Sequence, residues 1–457
     1  MTTKLWGGRF KKKIDAQFED FSASFRWDVR LLPYDLSIDT AHTHSLRRCG
    51  VLNASEEKKL LSALARLKSE YEKGALRLDP GSEDVHTAVQ TKLTQFAGSV
   101  AEKIHTGRSR NDLVAQSSRL YVKEHSKKLG LLIGRFQKAI VKKAKQTQKV
   151  FVPGMTHLQN AQVLSQAHVF LAYVEMLERS KRRLELVTEL ADVCVLGSGA
   201  LAGTTFRLDQ SRMAKELGLS RIVNNSYDVS GDRDFLLNLL SSLSFLGIHL
   251  SRIAEDLMIG QTKGVALMDI DETFCTGSSM MPQKKNADFL ELVRGMAGVL
   301  AGNLTGFLMT LKGLPTSYNR DLQWDKKFLF DSVENVEISL EIFARLFSSL
   351  NISETRAREL VEDETLYATD LADYLVGKGM VFKKAHEAVG SIISFAEENN
   401  VKLSKIGLDI VRRFAPQADG GYYDLFNAEH SVRQKAVQGS THPDEVARQI
   451  KAWEKKG

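Results

Sequence analysis

The distribution of proline is the feature that most limits how this chain can fold. Its 457 residues include only 7 prolines, and none lies between Pro153 and Pro282. Because proline lacks a backbone N–H and clashes with the preceding helical turn, this gap leaves room for several long helices. Within it, apolar residues from Phe235 to Met258 recur at helical spacing around a broad face, which predicts a helix buried in a bundle. Serines, His249 and charged residues interrupt that stretch, so it is a poor membrane span.

The chain is long enough for two or three domains and a sizeable core. Asn53 provides helix-start chemistry and Gly74 a stop, so a helix is predicted between them, after another from Tyr34 to Cys49. Small residues predict a turn at Gly197–Gly203. We therefore expect an all-α fold in three consecutive parts: an N-terminal domain at 1–109, a central long-helix bundle at 110–358, and a small helical domain at 359–457.

The net charge bears on possible partners. The formal charge is +7 and the isoelectric point is about 9.0. Basic residues are scattered, and their short runs lack interleaved aromatic residues or a recognisable binding module. We therefore expect a solvated basic surface that can attract an acidic substrate, and no nucleic-acid partner.

Cysteine and histidine usage bears on compartment and metals. Cys49, Cys194 and Cys275 are widely separated and odd in number, which indicates reduced thiols in a cytoplasmic protein. The first thirteen residues lack the apolar segment of a secretory signal, and no membrane partner is expected. No histidine or cysteine pair has metal-ligand spacing, so the sequence predicts no metal. No motif calls for another cofactor.

A polar loop at Gly277–Asn286 carries the densest chemistry of the chain. It reads Gly-Ser-Ser-Met-Met-Pro-Gln-Lys-Lys-Asn, and a helical pattern begins after it. Oriented backbone N–H groups at such a junction attract anions and stabilise developing negative charge. Serines there can be nucleophiles, bases or caps, and the lysines can hold a carboxylate or a phosphate. The alternative is a solvated turn with some basic character.

Two further motifs combine polar side chains. In His105–Asp112, Arg108 and Arg110 have the planar geometry that binds a carboxylate, and Ser109 and Asn111 add neutral hydrogen bonds. The alternative there is a helix start with surface arginines. In the second motif, Pro153-Gly-Met-Thr-His-Leu-Gln, the histidine follows a threonine on a turn and can act as an acid or base near neutral pH. A lone histidine is more often structural.

The loop resembles the signature of the fumarase, aspartase and argininosuccinate lyase superfamily, Gly-Ser-Ser-x-Met-x-x-Lys-x-Asn, at six fixed positions. Its Met-Pro-Gln-Lys-Lys-Asn wording resembles the argininosuccinate lyase family. The resemblance implies reversible elimination of argininosuccinate to L-arginine and fumarate, by removal of the Cβ proton through an aci-carboxylate. It makes Ser278, His157, Glu291 and Lys284 the catalytic residues. Ser278 is the preferred base, with Glu291 orienting His157, although the residues alone leave open which of Ser278 and His157 takes the proton.

The resemblance extends over nearly the whole chain, from Leu5–Phe10 to the C-terminal part. It implies a homotetramer whose central helices form a shared core and whose composite sites each draw on three subunits. Two departures adjoin the motifs: Leu113 stands where the family usually has glutamine, and Ala287 where it has proline. The implied substrate-binding residues are Ser24, His86, Thr87, Ser109, Arg110, Asn111, Thr156, Asn286, Tyr318, Gln323 and Lys326.

Three alternatives remain from the sequence. A sister enzyme such as adenylosuccinate lyase would use the same loop on another fumarate-releasing substrate, but the Arg-Ser-Arg-Asn-Asp and Lys-Gly-Leu-Pro motifs argue against it. A catalytically inactive structural homologue, like the delta crystallins, is disfavoured because Ser278, His157, Lys284 and Glu291 are all retained. The third alternative is a basic nucleic-acid-binding protein.

Overall fold

The computed structural model describes residue 12 and residues 14–456, so the Leu5–Phe10 motif lies outside the described residues. The described chain is dominated by helices, five of them 24 residues or longer. The helices up to residue 229 are α1 Ala16–Ser22, α2 Phe25–Asp28, α3 Leu32–Arg48, α4 Ala54–Glu72, α5 Val85–Ala97, α6 Arg110–Gln146, α7 Gln166–Ala191, α8 Gln210–Glu216 and α9 Ser226–Val229.

The remaining α-helices include three long ones and six shorter ones. They are α10 Asp234–Gln261, α11 Asp288–Leu311, α12 Asp325–Ser349, α13 Glu354–Leu360, α14 Ala368–Gly377, α15 Phe382–Glu398, α16 Leu408–Phe414, α17 Ala428–Arg433 and α18 Pro443–Lys456. Short 3-10 helices connect them at Val29–Leu31, Gly98–His105, Glu272–Phe274, Arg320–Trp324, Glu364–Tyr367, Leu403–Lys405 and Gly420–Leu425.

Strands are few and short. The longest pair, β1 Phe151–Thr156 and β2 Gln159–Ser165, forms an antiparallel hairpin whose register shifts between Gly154 and Met155. β3 Val193–Cys194 pairs in parallel with β4 Arg221–Ile222, and β5 Met268–Asp269 pairs antiparallel with β6 Asn351–Ile352. The helical content confirms the predicted all-α class.

Local signals in the sequence mark the predicted helix ends. Asn53 caps α4 in a reciprocal capping box with Glu56, and Gly74 follows the helix in the left-handed conformation, at φ 65°. α3 confirms the helix predicted from Tyr34 to Cys49, and α10 contains the whole stretch from Phe235 to Met258. α10 therefore follows from the apolar period of its sequence, and the ends of α4 follow from local capping signals.

The described chain divides into two compact units, and each unit combines three segments that are separate in the sequence. The first comprises Ser180–Gly247, Met296–Glu337 and the described part of Met1–Leu131. In its core the ring of Tyr121 packs edge-on against Phe330, with centroids 4.9 Å apart, and against Tyr34 at 5.9 Å. The three consecutive parts expected from the sequence remain a prediction.

The second unit comprises Leu132–Arg179, Ile248–Gly295 and Ile338–Gly457. One part of its core is aromatic, since Phe136 stacks on Phe343 with ring centroids 5.1 Å apart. Another part lies among α14, α15 and α16, where the buried Tyr422 donates a hydrogen bond to the carbonyl of Leu403 at 2.7 Å.

Two helices are long and apolar enough to cross a membrane by length and composition alone, α10 and α11. In α10, 56% of the apolar window is buried inside the chain, as expected of a core helix. In α11 only 17% is buried, and Leu292, Val299 and Met309 are 73%, 57% and 65% exposed. α11 therefore presents an apolar face that the described residues leave largely uncovered.

Candidate active site

The loop at Gly277–Asn286 is closed at its base by backbone pairing. Thr276 and Asn286 exchange two backbone hydrogen bonds, each 2.9 Å long, and the Thr276 hydroxyl donates to the carboxylate of Asp288 at the start of α11. A further turn is made inside the loop, where the N–H of Lys284 donates to the carbonyl of Met281 at 3.0 Å. These bonds confirm the loop predicted at Gly277–Asn286.

Ser278 is the half-buried side chain at the start of this loop. Its Oγ accepts hydrogen bonds from the backbone N–H groups of Met280 and Met281, at 3.3 and 3.1 Å. Hydrogen bonds donated to an oxygen stabilise its deprotonated form. The loop therefore supplies two donors that would stabilise the alkoxide that a serine base requires.

The two lysines of the loop have different surroundings. Lys285 forms an ion pair with Asp269 at 2.8 Å, and this hydrogen bond raises the pKa of the Lys285 ammonium. Lys284 is exposed, and within residues 14–456 it has no ion pair. Lys285 thus anchors the loop, whereas the charge of Lys284 is available to a ligand.

The hairpin between β1 and β2 places Thr156 and His157 at its exposed tip. His157 and Leu158 form the two-residue turn with φ values of 56° and 59°, a left-handed conformation that costs free energy in residues other than glycine. The turn predicted here is confirmed. Positive φ at both positions is the geometry that a tight two-residue hairpin turn requires.

The predicted partner of His157 does not meet it within the chain. Glu291 lies exposed in the first turn of α11, and the described residues show no hydrogen bond or ion pair between it and His157. The second unit thus brings Ser278, Lys284 and Asn286 together on one loop, and Thr156 and His157 on one hairpin. The pairing of His157 with Glu291 stays a prediction.

His86, in the first unit, lies at the centre of a buried acidic cluster. Its Nδ1 is bonded to a carboxylate oxygen of Asp35, whose other oxygen accepts from the Ser117 hydroxyl. The side chains of His86 and Asp35 are only 3% and 2% exposed. Burial opposes the charged imidazole, but the carboxylates of Asp35, Asp84 and Asp28 outweigh it and raise the pKa of His86 to about 9. His86 is therefore a cation at neutral pH.

Two neighbouring histidines, His42 and His105, have lowered rather than raised pKa values. Burial and the charge of Arg108 lower the pKa of His105 to about 3 and also lower the pKa of His42. Arg108 in turn forms a buried ion pair with Asp39 at 2.7 Å. Arg108, which the sequence offered as a carboxylate ligand, is thus engaged inside its own chain.

Ser24 and Lys326 share this acidic neighbourhood. The Ser24 hydroxyl donates to Asp28 at 2.5 Å, and burial raises the pKa of Asp28 to about 6. Lys326 is buried and pairs with Asp325 at 2.8 Å, and its charge lowers the pKa of Asp28 against that effect of burial. Asp325 also holds Arg233 at 2.8 Å. The predicted residues Ser24, His86 and Lys326 therefore all lower the pKa of one carboxyl group, that of Asp28.

Arg110 connects the helix start of α6 to that of α5. Its guanidinium lies 3.1 Å from both Glu83 and Asp84 and donates to the Thr87 hydroxyl at 2.7 Å. Asp84 caps α5 by accepting from the backbone N–H and the hydroxyl of Thr87, each at 2.7 Å. The structure thus brings Thr87 and Arg110 into direct contact.

Asp112 organises the motif that contains Ser109 and Asn111. It accepts from the N–H of Ser109 at 2.9 Å and from that of Gly199 at 3.0 Å, and burial raises its pKa to about 6. Asn111 donates to the carbonyl of Ala200 at 3.3 Å. This motif therefore packs on the predicted Gly197–Gly203 turn, in which all three glycines adopt positive φ.

The last two predicted binding residues lie near the 3-10 helix at Arg320–Trp324. Gln323 donates to the carbonyl of Ser22 at 2.8 Å, beside a cavity of about 300 Å³ walled by Phe21, Trp27 and Trp324. Tyr318 is half-buried and follows Ser317, which has a φ of 75°.

The two departures from the family pattern have simple surroundings. Leu113 is 2% exposed on α6, so it fills core space. Ala287 is buried at the start of α11, and its carbonyl accepts the helix's first backbone bond, from Leu290 at 2.9 Å.

The sequence reasoning missed the acidic partners Asp28, Asp35 and Asp39. Asp35 and Asp39 are one helical turn apart on α3, and Asp28 lies two turns before Asp35, so all three fall near one face of the α2–α3 segment. The same face carries the buried residues Leu31 and Leu46. Aspartates repeated on a buried face indicate that each has a cationic or hydrogen-bonding partner, because unpaired charges are rarely buried.

Comparison with known proteins identifies the family that this chain matches. Residues 8–302 match the lyase family, and residues 365–433 match the argininosuccinate lyase C-terminal family. An argininosuccinate lyase from Bacillus velezensis is 39% identical over 438 residues, which are 96% of each chain. One from Caldicellulosiruptor bescii is 40% identical over 447 residues, 98% of this chain and 97% of that one.

Solved structures agree on the fold. An EDDS lyase variant with bound fumarate has a TM-score of 0.83 at 25% identity and covers 98% of this chain and 90% of its own. A class II fumarase from Schistosoma mansoni has a TM-score of 0.74 at 15% identity, covering 87% and 90%, which shows the fold alone.

Proposed function

The chain belongs to the argininosuccinate lyase family, and from that premise we propose that it catalyses the reversible elimination of argininosuccinate to L-arginine and fumarate. The observation that carries the proposal is the Gly277–Asn286 loop. In this loop the Oγ of Ser278 accepts hydrogen bonds from two backbone N–H groups, and the exposed Lys284 has no ion pair in the described chain. An activated base and a free cation on one loop suit removal of a proton beside a carboxylate.

In the first step, the oxygen of Ser278 takes the Cβ proton of the succinyl group. The electron pair of the broken C–H bond moves into the adjacent carboxylate, which becomes a dianionic aci-carboxylate. Lys284 and the amide of Asn286 stabilise that charge, because both lie on the loop that carries the base. Hydrogen bonds donated to Ser278 Oγ by Met280 and Met281 stabilise its alkoxide form beforehand.

In the second step, the aci-carboxylate collapses and the Cα–N bond breaks. The electron pair returns to form the carbon–carbon double bond of fumarate, and the leaving guanidino nitrogen takes a proton. His157 is the proposed donor, with Thr156 beside it on the hairpin tip to bind substrate. Glu291 is proposed to orient the imidazole and to stabilise its protonated form.

The acidic cluster of the first unit is proposed to recognise the substrate. Arg110, the buried Lys326 and His86, which its pKa of about 9 keeps protonated, are proposed to donate hydrogen bonds to substrate carboxylates with N–H groups other than those that bind their carboxylate partners. Ser24, Thr87, Ser109, Asn111, Tyr318 and Gln323 are proposed to complete the binding set with neutral hydrogen bonds. The carboxylates behind these cations hold them in place rather than contact substrate anions.

We propose further that the chain works as a homotetramer with composite sites. Support comes from α11, whose apolar residues Leu292, Val299 and Met309 are exposed in the single chain. Burying such a face against other copies stabilises the assembly, at about 25 cal/mol for each Å² of apolar surface removed from water. A second support is that His157 and Glu291 show no contact in the described chain, as expected if they meet across subunits. A soluble tetramer also fits a cytoplasmic enzyme.

A fumarate absorbance assay with argininosuccinate tests the activity. Turnover is expected with argininosuccinate and not with adenylosuccinate, and Ser278→Ala should abolish it. Ser391→Ala, which removes an exposed hydroxyl on α15, is the matched control and should retain full activity. A purified tetramer with no turnover of argininosuccinate would instead support a structural homologue.

A further inference from the structure

A cavity of about 630 Å³ lies among α7, α10 and α18, inside the second unit. None of the residues proposed for catalysis or substrate binding lines it. Its volume falls in the range of sites that hold small molecules. Its walls are mixed, with Leu171, Met176 and Trp453 among the apolar residues. The cavity therefore has room for a ligand that the proposed reaction does not use.

The charged side chains around the cavity are predominantly basic. Arg179, Arg252, Arg448 and Lys456 line it, against the single carboxylate of Glu175. Arg448 also pairs with Glu445 at 2.9 Å and Lys456 with Glu178 at 3.7 Å, so part of their charge is neutralised. Arg252 has no ion pair within residues 14–456, although its charge lowers the pKa of the nearby Asp256 carboxyl against the effect of burial. The guanidinium groups on this wall thus offer several N–H donors to anionic oxygens.

Two buried polar atoms on the walls have no partner. His168 Nδ1 and Gln449 Nε2 are inaccessible to solvent and have no hydrogen bond among the described residues. Buried polar groups in folded proteins are normally satisfied, and each one left unpaired costs free energy. The amide nitrogen of Gln449 is a donor only, so it requires an acceptor such as an anionic oxygen.

Lys456 is oriented by the aromatic wall. Its ammonium lies 4.2 Å from the centroid of the Trp453 ring, a cation–π contact that restrains the side chain near the end of α18. Burial lowers the pKa of His168, so this imidazole is neutral at pH 7 and can donate one hydrogen bond. The wall thus combines cations with neutral donors, the pattern that binds phosphate and carboxylate oxygens.

From this combination we propose that the cavity is a binding site for a small polyanion, either a phosphate compound or a polycarboxylate. Arg252 and Arg448 contact the anionic oxygens, and a rotation of the Gln449 side chain brings its amide N–H groups to one of them. The ligand thereby satisfies the donor that is unpaired in the free protein. The site is separate from the proposed catalytic residues, so the proposal stands whether or not the chain cleaves argininosuccinate.

Isothermal titration calorimetry of the full-length protein tests the site. Inorganic pyrophosphate and citrate are titrated separately at constant ionic strength, which distinguishes the phosphate source from the polycarboxylate source. Saturable binding of one probe per chain is expected for at least one of them. Arg252→Gln should weaken that binding at least tenfold, and Gln449→Leu should weaken it several-fold, because each removes one contact to the anion.

The matched control is Arg135→Gln, which removes an exposed arginine of α6 that does not line the cavity. It should leave the affinity unchanged, and circular dichroism should show that all variants are folded. Absence of saturable binding for both probes would overturn the proposal. So would binding that Arg110→Gln abolishes while Arg252→Gln leaves it intact, because the anion would then occupy the catalytic site. Loss of the tetramer in Arg252→Gln without any probe binding would make the cavity a subunit contact instead.

Discussion

The buried pair of His86 and Asp35 allows a quantitative prediction. The pKa of His86 rises from its ordinary value of 6.5 to about 9 because burial is outweighed by Asp35, Asp84 and Asp28. One pKa unit corresponds to about 1.4 kcal/mol, so this rise represents about 3 kcal/mol of stability where the imidazole is charged in both states. Asp35→Asn removes the largest favourable charge and keeps one hydrogen bond. We expect a loss of about 2 kcal/mol.

The pH dependence of this loss has a definite sign. A group whose pKa is higher in the folded state stabilises the protein fully below its unfolded pKa, and the stabilisation is lost as the pH rises through the folded pKa. The difference between the wild type and Asp35→Asn should therefore be largest near pH 6.5 and shrink as the pH approaches and passes about 9.

Thermal unfolding of both proteins between pH 6 and pH 10 measures this difference. Asp35→Asn should lower the unfolding midpoint by a few degrees at pH 6.5 and by much less at pH 10. Asp373→Asn, an exposed aspartate on α14, is the matched control and should change the midpoint little at any pH. A difference that stays constant across the range, or that grows as the pH rises, would refute the proposed charge pair.

Three further predictions concern the proposed catalytic loop and hairpin. Ser278→Ala should abolish turnover while argininosuccinate still binds in calorimetry, and an equal loss of binding would contradict a purely chemical role. Lys284→Met should lower kcat at least 100-fold and Lys285→Met much less, because Lys285 is paired with Asp269; steady-state kinetics that rank them the other way would reverse their roles. Refolding a mixture of Ser278→Ala and His157→Asn chains should restore part of the activity if sites are composite, and a co-assembled mixture that stays inactive would exclude shared sites.

The fold was predictable where one period or one local signal determines the outcome. The apolar repeat from Phe235 to Met258 led directly to α10, and Asn53 and Gly74 bracketed α4, because capping uses only neighbouring residues. The hairpin was harder. Pro153 and Gly154 lie inside β1, where both residue types normally argue against a strand. The register shift after Gly154 accommodates them, and only the paired strand reveals it.

The candidate site was predictable as a set of motifs but not as a network. The polar residues of the 277–286 loop stand at fixed spacing, so the sequence alone draws attention to them. Asp35 and Asp39 stand among apolar residues of α3 with no motif around them, and their importance depends on His86, Arg108 and other partners distant in the chain. Tertiary packing decides which charged residues are buried together. These pairs therefore cannot be read from a single sequence without its fold.

The contrast between the two groups of proposed residues follows from their electrostatics. His86 and Lys326 are buried and already matched by carboxylates, so their positions are set before any substrate arrives. His157 and Lys284 are exposed and have no ion pair among the described residues, so no charged partner in that part of the chain holds them in a reactive position. Reactive side chains need such positioning to be effective. The proposed assembly of further copies around α11 would bury the exposed apolar face of that helix. The same assembly would position His157 and Lys284.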